Sequence, residues 1–194
     1  YTQSHYVKLR FRKELFSLKF VYPIKDPQKI VALKNLLKSR KNRDYMLFVM
    51  GIHSGLRISD LLSLKVEDVL DEHRITIREQ KTGKTKSFPL ASIIKEDLAL
   101  YLSGRTKGWL FPSRQNGGEP ITRQMAYYFL SKAAKEVGIV EPIGTHTLRK
   151  TFAYWAYKRG TSLELIQKIL NHASPSVTLR YIGITQEQID DVYE

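Results

Sequence analysis

Residues 145–182 read THTLRKTFAYWAYKRGTSLELIQKILNHASPSVTLRYI, and this stretch sets the fold class. It divides, with a turn at Gly160, into helices expected at about 145–159, 162–170 and 175–182. His146 and Arg149 stand three residues apart, so on the first helix they project from one face and reach a common ligand together. His172 follows the turn and approaches from a neighbouring helix.

Working outward, Asp26 and Pro27 cap a run in which Ile30, Leu33, Leu36 and Leu37 recur at helical spacing, which predicts a helix over 27–38. Asp44 to His53 reads as a mostly buried helix ended by Ser54-Gly55. Residues 57–64 give a short helix whose apolar side, Ile58, Leu61, Leu62 and Leu64, fixes Arg57 at its start beside the first backbone amides. His73 to Glu79 alternates apolar and polar, and Lys81 to Lys86 followed by Ser87-Phe88-Pro89-Leu90 completes a hairpin around Thr82-Gly83, leaving Lys81 at or near a strand end beside the turn. A helix near 92–103, an extended Trp109-Leu110-Phe111-Pro112, a Gly117-Gly118 turn and a helix over 122–137 stopped by Gly138 follow. An amphipathic piece from Gln186 to Tyr193, with Ile189 and Val192 on one side, closes the chain. The class is mainly α, formally α+β: a helical domain with one small antiparallel β-sheet and no internal repeat.

At 194 residues and 42% apolar content the chain buries one sizeable core. Residues 1–22 are basic and aromatic and read as an N-terminal arm, a linker or an artificial leader, with one compact domain over 23–194. Thirty-two Lys and Arg against nineteen Asp and Glu leave a formal charge of +13, which attracts a polyanion. Nucleic acid is the natural one; a merely soluble basic protein is the other reading of charge alone. Cysteine is absent, which excludes disulfides, a thiolate nucleophile and Cys-based zinc, and fits a reducing compartment. No run of eighteen apolar residues appears, so no spanning helix is expected and the protein reads as cytoplasmic.

A phosphodiester under attack gains charge on its non-bridging oxygens, and forked guanidiniums bind these while staying ionised at any cellular pH. Arg57 and Arg149 are the candidates. Without cysteine the nucleophile is a Ser, Thr or Tyr hydroxyl, and eleven tyrosines compete. Tyr154 and Tyr157, spaced with Phe152 and Trp155, read as core or as a wall facing nucleic acid. A free phenol, with a pKa near 10, needs a neighbouring base or positive charge, which His146, His172 and the arginines supply. Lys81 on its flexible turn suits proton donation to a departing oxygen, with Lys84 as the nearest rival. The histidines show no metal-binding spacing, so neither metal nor cofactor is expected.

Four segments carry a resemblance. They are Ser54-Gly55-Leu56-Arg57-Ile58-Ser59-Asp60-Leu61-Leu62, Gln80-Lys81-Thr82-Gly83-Lys84, His146-Thr147-Leu148-Arg149-Lys150, and Leu170-Asn171-His172-Ala173-Ser174 running to Thr178-Leu179-Arg180-Tyr181. In this order and spacing they resemble the catalytic domain of the tyrosine recombinases, also called phage integrases, over roughly residues 25–190. The resemblance implies catalytic residues Arg57, Lys81, His146, Arg149, His172 and Tyr181. Tyr181 is then the nucleophile on double-stranded DNA, forming a 3′-phosphotyrosyl link while the departing 5′ oxygen takes a proton from Lys81 and leaves as a 5′ hydroxyl. It also implies a homotetramer on paired sites, and it places Asp60 where the family carries an acid that orients Arg57 or the neighbouring turn. Two alternatives share the fold: a catalytically silent DNA-binding protein and a type IB topoisomerase-like enzyme.

The chain departs from the family at Leu170-Asn171-His172, where Leu-Gly-His is usual; asparagine tolerates a left-handed turn at modest cost. The larger relatives' N-terminal DNA-clamping domain finds no room here, so the chain reads as a fragment or as a short relative, with weak and salt-sensitive DNA affinity.

Overall fold

The computed structural model describes residues 21–114 and 117–184. Most of the stretch read as an arm, and the amphipathic piece at Gln186 to Tyr193, lie outside them. The elements are α1 (Pro27–Arg40), α2 (Asn42–Ser54), α3 (Ile58–Leu62), a 3-10 turn (Val66–Asp68), β1 (Arg74–Arg78), β2 (Thr85–Pro89), α4 (Ser92–Leu102), α5 (Arg123–Glu136), α6 (Thr145–Lys158), α7 (Leu163–Leu170) and α8 (Pro175–Ile182). The fold is mostly helical with one two-stranded antiparallel sheet, as the sequence predicts. Among the described residues no helix is long and apolar enough to cross a membrane.

α1 starts where its cap dictates: Asp26 accepts a hydrogen bond from the Gln28 backbone amide at 2.7 Å, and Pro27 fills the first turn. α2 is the central pillar, buried continuously from Asp44 to Ile52, because α1, α3, α4, α5 and α6 all pack on it. At Gly51 a Cβ would come within 2.5 Å of the Leu148 side chain, so α2 and α6 cross too closely for any side chain there. α2 then ends on Gly55 in the left-handed conformation, φ +61°.

α3 is shorter than the 57–64 expected. Its continuation is taken by strand-like pairing with residues 108–110, in which Leu110 N–H donates to the Leu64 carbonyl (2.9 Å) and Val66 N–H to that of Gly108 (2.8 Å). A chain engaged in that ladder cannot also make helical bonds.

In the hairpin Ile75 pairs with Phe88 and Ile77 with Lys86. These four form the inner face, while Arg74, Thr76, Arg78, Thr85, Ser87 and Pro89 are exposed. A two-stranded ribbon is marginal alone, so this one depends on leaning against the core through that face.

Two apolar clusters meet at α6. The large one is built on α1 to α5; the small one, Ala153, Ala156, Ile166, Leu170 and Ile182, seats α7 and α8. Residues 21–24 lie along α6 as a strap, with Ile24 N–H donating to Thr151 Oγ1 (2.9 Å) and its carbonyl accepting from Trp155 Nε1 (3.0 Å). Of the expected aromatic wall, Trp155 is thus a packing residue holding the strap, and Tyr157 is exposed.

Replacing Gly55 combines a left-handed backbone with a Cβ 2.5 Å from the Phe152 ring. Gly55→Ala is expected to destabilise by about 2 to 4 kcal/mol, the sum of left-handed strain and overpacking, read as a lower urea midpoint with an unchanged slope.

Candidate active site

The site forms where α2 ends, α6 begins and α7 and α8 fold back, roofed by the hairpin. Arg149, on the second turn of α6, is 2% exposed. Its Nη1 donates to the Gly55 carbonyl at 2.7 Å and its Nη2 to the Leu170 carbonyl, so one guanidinium joins the ends of α2 and α7. Those carbonyls are available because both helices end in left-handed residues, Gly55 and Asn171, which leave the last turn open.

Arg57, just ahead of α3, is largely buried; its Nη1 lies 2.9 Å from Glu79 Oε1 and 4.0 Å from Asp60 Oδ2. Neither carboxylate side chain is exposed. Asp60 also accepts from the Gln80 backbone amide at 2.9 Å, which pins the hairpin turn over α3. It thus touches both partners anticipated for it, the arginine and the turn. Burial pushes the Glu79 carboxyl up, but hydrogen bonds from Thr82 and Arg57, the Arg57 charge and a bond from Asn171 hold it below the usual carboxylate range.

The phenol of Tyr181, on α8, lies 3.4 Å from His146 Nδ1 in the first turn of α6. The His172 ring meets the Tyr181 ring edge-on at 4.7 Å between centroids, and the Lys150 amine stands over the Tyr181 ring, 5.2 Å from its centroid. His172 is fixed by Thr178, fully buried on α8, whose Oγ1 is 3.0 Å from its Nδ1. Loss of solvent, then repulsion from Arg149 and Arg57, lowers His172 to about 4. Loss of solvent on its inner side, followed by the charges of Arg123, Arg149, Lys150 and Arg57, lowers His146 as well. Both imidazoles are therefore neutral at pH 7. Burial pushes the Tyr181 phenol up, opposed by Arg149 and Arg57.

The structure brings Arg57, His146, Arg149, His172 and Tyr181 together from the start of α3, from α6, from the link between α7 and α8, and from α8. Lys81 is not drawn in: it is exposed on the turn next to Gln80, with no side-chain partner among the described residues, and Lys84 is exposed on the same turn.

Two residues at the site were not singled out from sequence. Glu79 extends the inward face of β1, after Ile75 and Ile77, and Lys86 faces inward from β2 opposite Ile77. The Lys86 amine is buried and lowered to about 8, chiefly by burial, then by Arg149, with Glu79 pulling the other way. The available signal was the alternation itself: charged residues on the apolar register of a strand lead into a site or a pair.

The sequence pattern of the phage integrase family matches residues 25–188. The probable integrase/recombinase YoeC of Bacillus subtilis (strain 168) is 41% identical over 175 residues, covering 90% of this chain and 96% of that one. The crystal structure of XerA recombinase superposes with a TM-score of 0.71 at 25% identity, over 89% of this chain and 64% of that one. The XerH site-specific recombinase, in a post-cleavage complex with palindromic difH substrate, superposes with a TM-score of 0.69 at 19% identity, over 90% of this chain and 53% of that one. This chain thus spans nearly all of YoeC and between half and two thirds of the two solved recombinases. On the strength of the matched pattern and of the identity shared with YoeC, the chain belongs to the phage integrase family.

Proposed function

We propose that this chain cleaves and rejoins double-stranded DNA at specific sites through a covalent bond between Tyr181 and a 3′ phosphate. The observation that carries the reading is the meeting of the Tyr181 hydroxyl, His146 and His172 beside a guanidinium anchored by two backbone carbonyls. The two carbonyls fix the orientation of Arg149, so it binds phosphate oxygens with little reorganisation. Arg57 leans on Glu79 and Asp60 and presents the second fork.

In the cleavage step the Tyr181 oxygen forms a bond to phosphorus while the bond from phosphorus to the 5′ oxygen breaks. The phenolic proton passes to His146 Nδ1, the nearest base. The departing 5′ oxygen takes a proton from Lys81, whose exposed position on the turn lets it reach DNA laid over the site. A 5′ hydroxyl from a partner strand reverses the step. One phosphoester replaces another, so the exchange requires no external energy source.

The palindromic substrate of XerH suggests two subunits about a two-fold axis on each DNA site, and exchange between two such sites takes four. A homotetramer on paired sites is therefore part of the reading. The 3′-phosphotyrosyl chemistry sets it apart from a silent DNA-binding protein, for which the six filled catalytic positions have no use.

Wild type incubated with a nicked suicide duplex taken from the flanks of its own gene is expected to show a DNA-shifted protein band on a denaturing gel. Tyr181→Phe is expected to lose that band while retarding the same DNA equally on a native gel. Retention of the band in the phenylalanine variant would assign the nucleophile elsewhere.

His146 acts as a base only when unprotonated, and loss of solvent and the surrounding cations lower its pKa from the ordinary imidazole value. Single-turnover cleavage is therefore expected to be level at alkaline pH and to fall on the acid side as His146 gains a proton. His146→Gln should be slow throughout and lack that acid limb. An acid limb that survives the substitution points to a different base.

A further inference from the structure

Glu79 is buried at the base of the hairpin turn and touches three separate segments of the chain. Its Oε1 meets Arg57 at 2.9 Å, while its Oε2 accepts from Thr82 Oγ1 at 2.6 Å and from Asn171 Nδ2 at 3.0 Å. Its backbone closes the same turn, with its N–H donating to the Lys84 carbonyl (2.9 Å) and its carbonyl accepting from Gly83 N–H (2.8 Å). Lys81 sits inside the loop so closed, and His172 directly follows Asn171.

Asn171 occupies the left-handed C-cap of α7, φ 50° and ψ 47°, a conformation that glycine adopts at least cost. An asparagine there accepts backbone strain, and its side chain is spent on the Glu79 carboxylate rather than on its own helix. The bond joins the hairpin to the helix end that carries His172, which no other side-chain bond described here does.

We propose that Glu79 and Asn171 form a positioning pair that holds the Lys81 turn in register with Arg57 and His172, so that the leaving 5′ oxygen meets its proton donor when Tyr181 attacks. The pair touches no substrate atom; it acts through Lys81 and Arg57. The inference rests on the reading of Tyr181 and Lys81 given above.

Asn171→Gly separates positioning from folding, because glycine suits the cap and removes only the tether. The variant is expected to melt no lower than wild type and to bind DNA equally. It should form the tyrosine adduct about tenfold more slowly, the size of one lost hydrogen bond to a charged group. On the same duplex with sulfur replacing the bridging 5′ oxygen at the cleaved phosphate, the leaving thiolate needs no proton, and the variant should return to within about twofold of wild type. Glu79→Gln is expected to be at least as slow on oxygen and only partly relieved by sulfur, since Arg57 also loses its partner. The double variant should be no slower than Glu79→Gln alone, as for two residues acting as one unit.

Wild-type rates for Asn171→Gly on both substrates overturn the proposal, as does a deficit that sulfur leaves untouched or a double variant whose losses multiply. A wild type that forms no Tyr181-dependent adduct overturns the functional reading and this inference with it, whereas a normal wild-type adduct confines any failure to the pair.

Discussion

The guanidinium of Arg149, 2% exposed and held by the carbonyls of Gly55 and Leu170, is the contact on which the rest of the arrangement depends. A buried cation loses several kcal/mol of hydration, and it persists only where fixed dipoles replace water. Here the dipoles are the free carbonyls at two helix ends. Their convergence requires α2 to end in a left-handed glycine, α6 to cross α2 at Gly51 with no side chain between, and α7 to return to the same point. The two apolar clusters supply the burial energy that keeps these ends together, one holding α2 and the other α7 and α8.

Around Arg149 the site holds charges of both signs. Arg57 and the buried amine of Lys86 face Glu79 and Asp60, neither of which exposes any side-chain surface. The carboxylates keep the cations from repelling one another before substrate arrives, and they also fix which way the Arg57 fork points. A phosphodiester entering this field meets donors already oriented, and so the reorganisation that would slow a flexible site has been completed during folding. The same crowding keeps His146 and His172 neutral, since a proton on either would add a charge beside two arginines.

Much of this was legible in the sequence because periodicity reports burial. The helix over 145–159, the Asp26 cap and the hairpin all follow from spacing and turn residues, and the structure places them within a few residues of expectation. α3 ended early because pairing with residues 108–110 is a tertiary event with no local signal. The spacing of His146 and Arg149 announced a shared face, but not that Arg149 would bind two carbonyls as firmly as any ligand. Glu79 and Lys86 escaped notice for a related reason: reading charged residues as solvated is usually right, and only the inward register of the strands reveals the exception.

The nucleophile of the proposed reaction sets the last constraint. Burial keeps the Tyr181 phenol protonated, and the arginines are the groups that favour its ionised form. Those arginines cannot stabilise a phenolate and a phosphate at full strength together, because the phosphate screens the positive field as soon as it binds. Activation by charge alone therefore weakens at the moment it is required. A neutral imidazole 3.4 Å from the phenol resolves the conflict, since its capacity to take the proton grows when the phosphate offsets the cations that otherwise lower its basicity. In the proposed reaction, substrate binding thus shifts the work of activation from Arg57 and Arg149 to His146, and the half-buried tyrosine stays inert until a phosphate is in place.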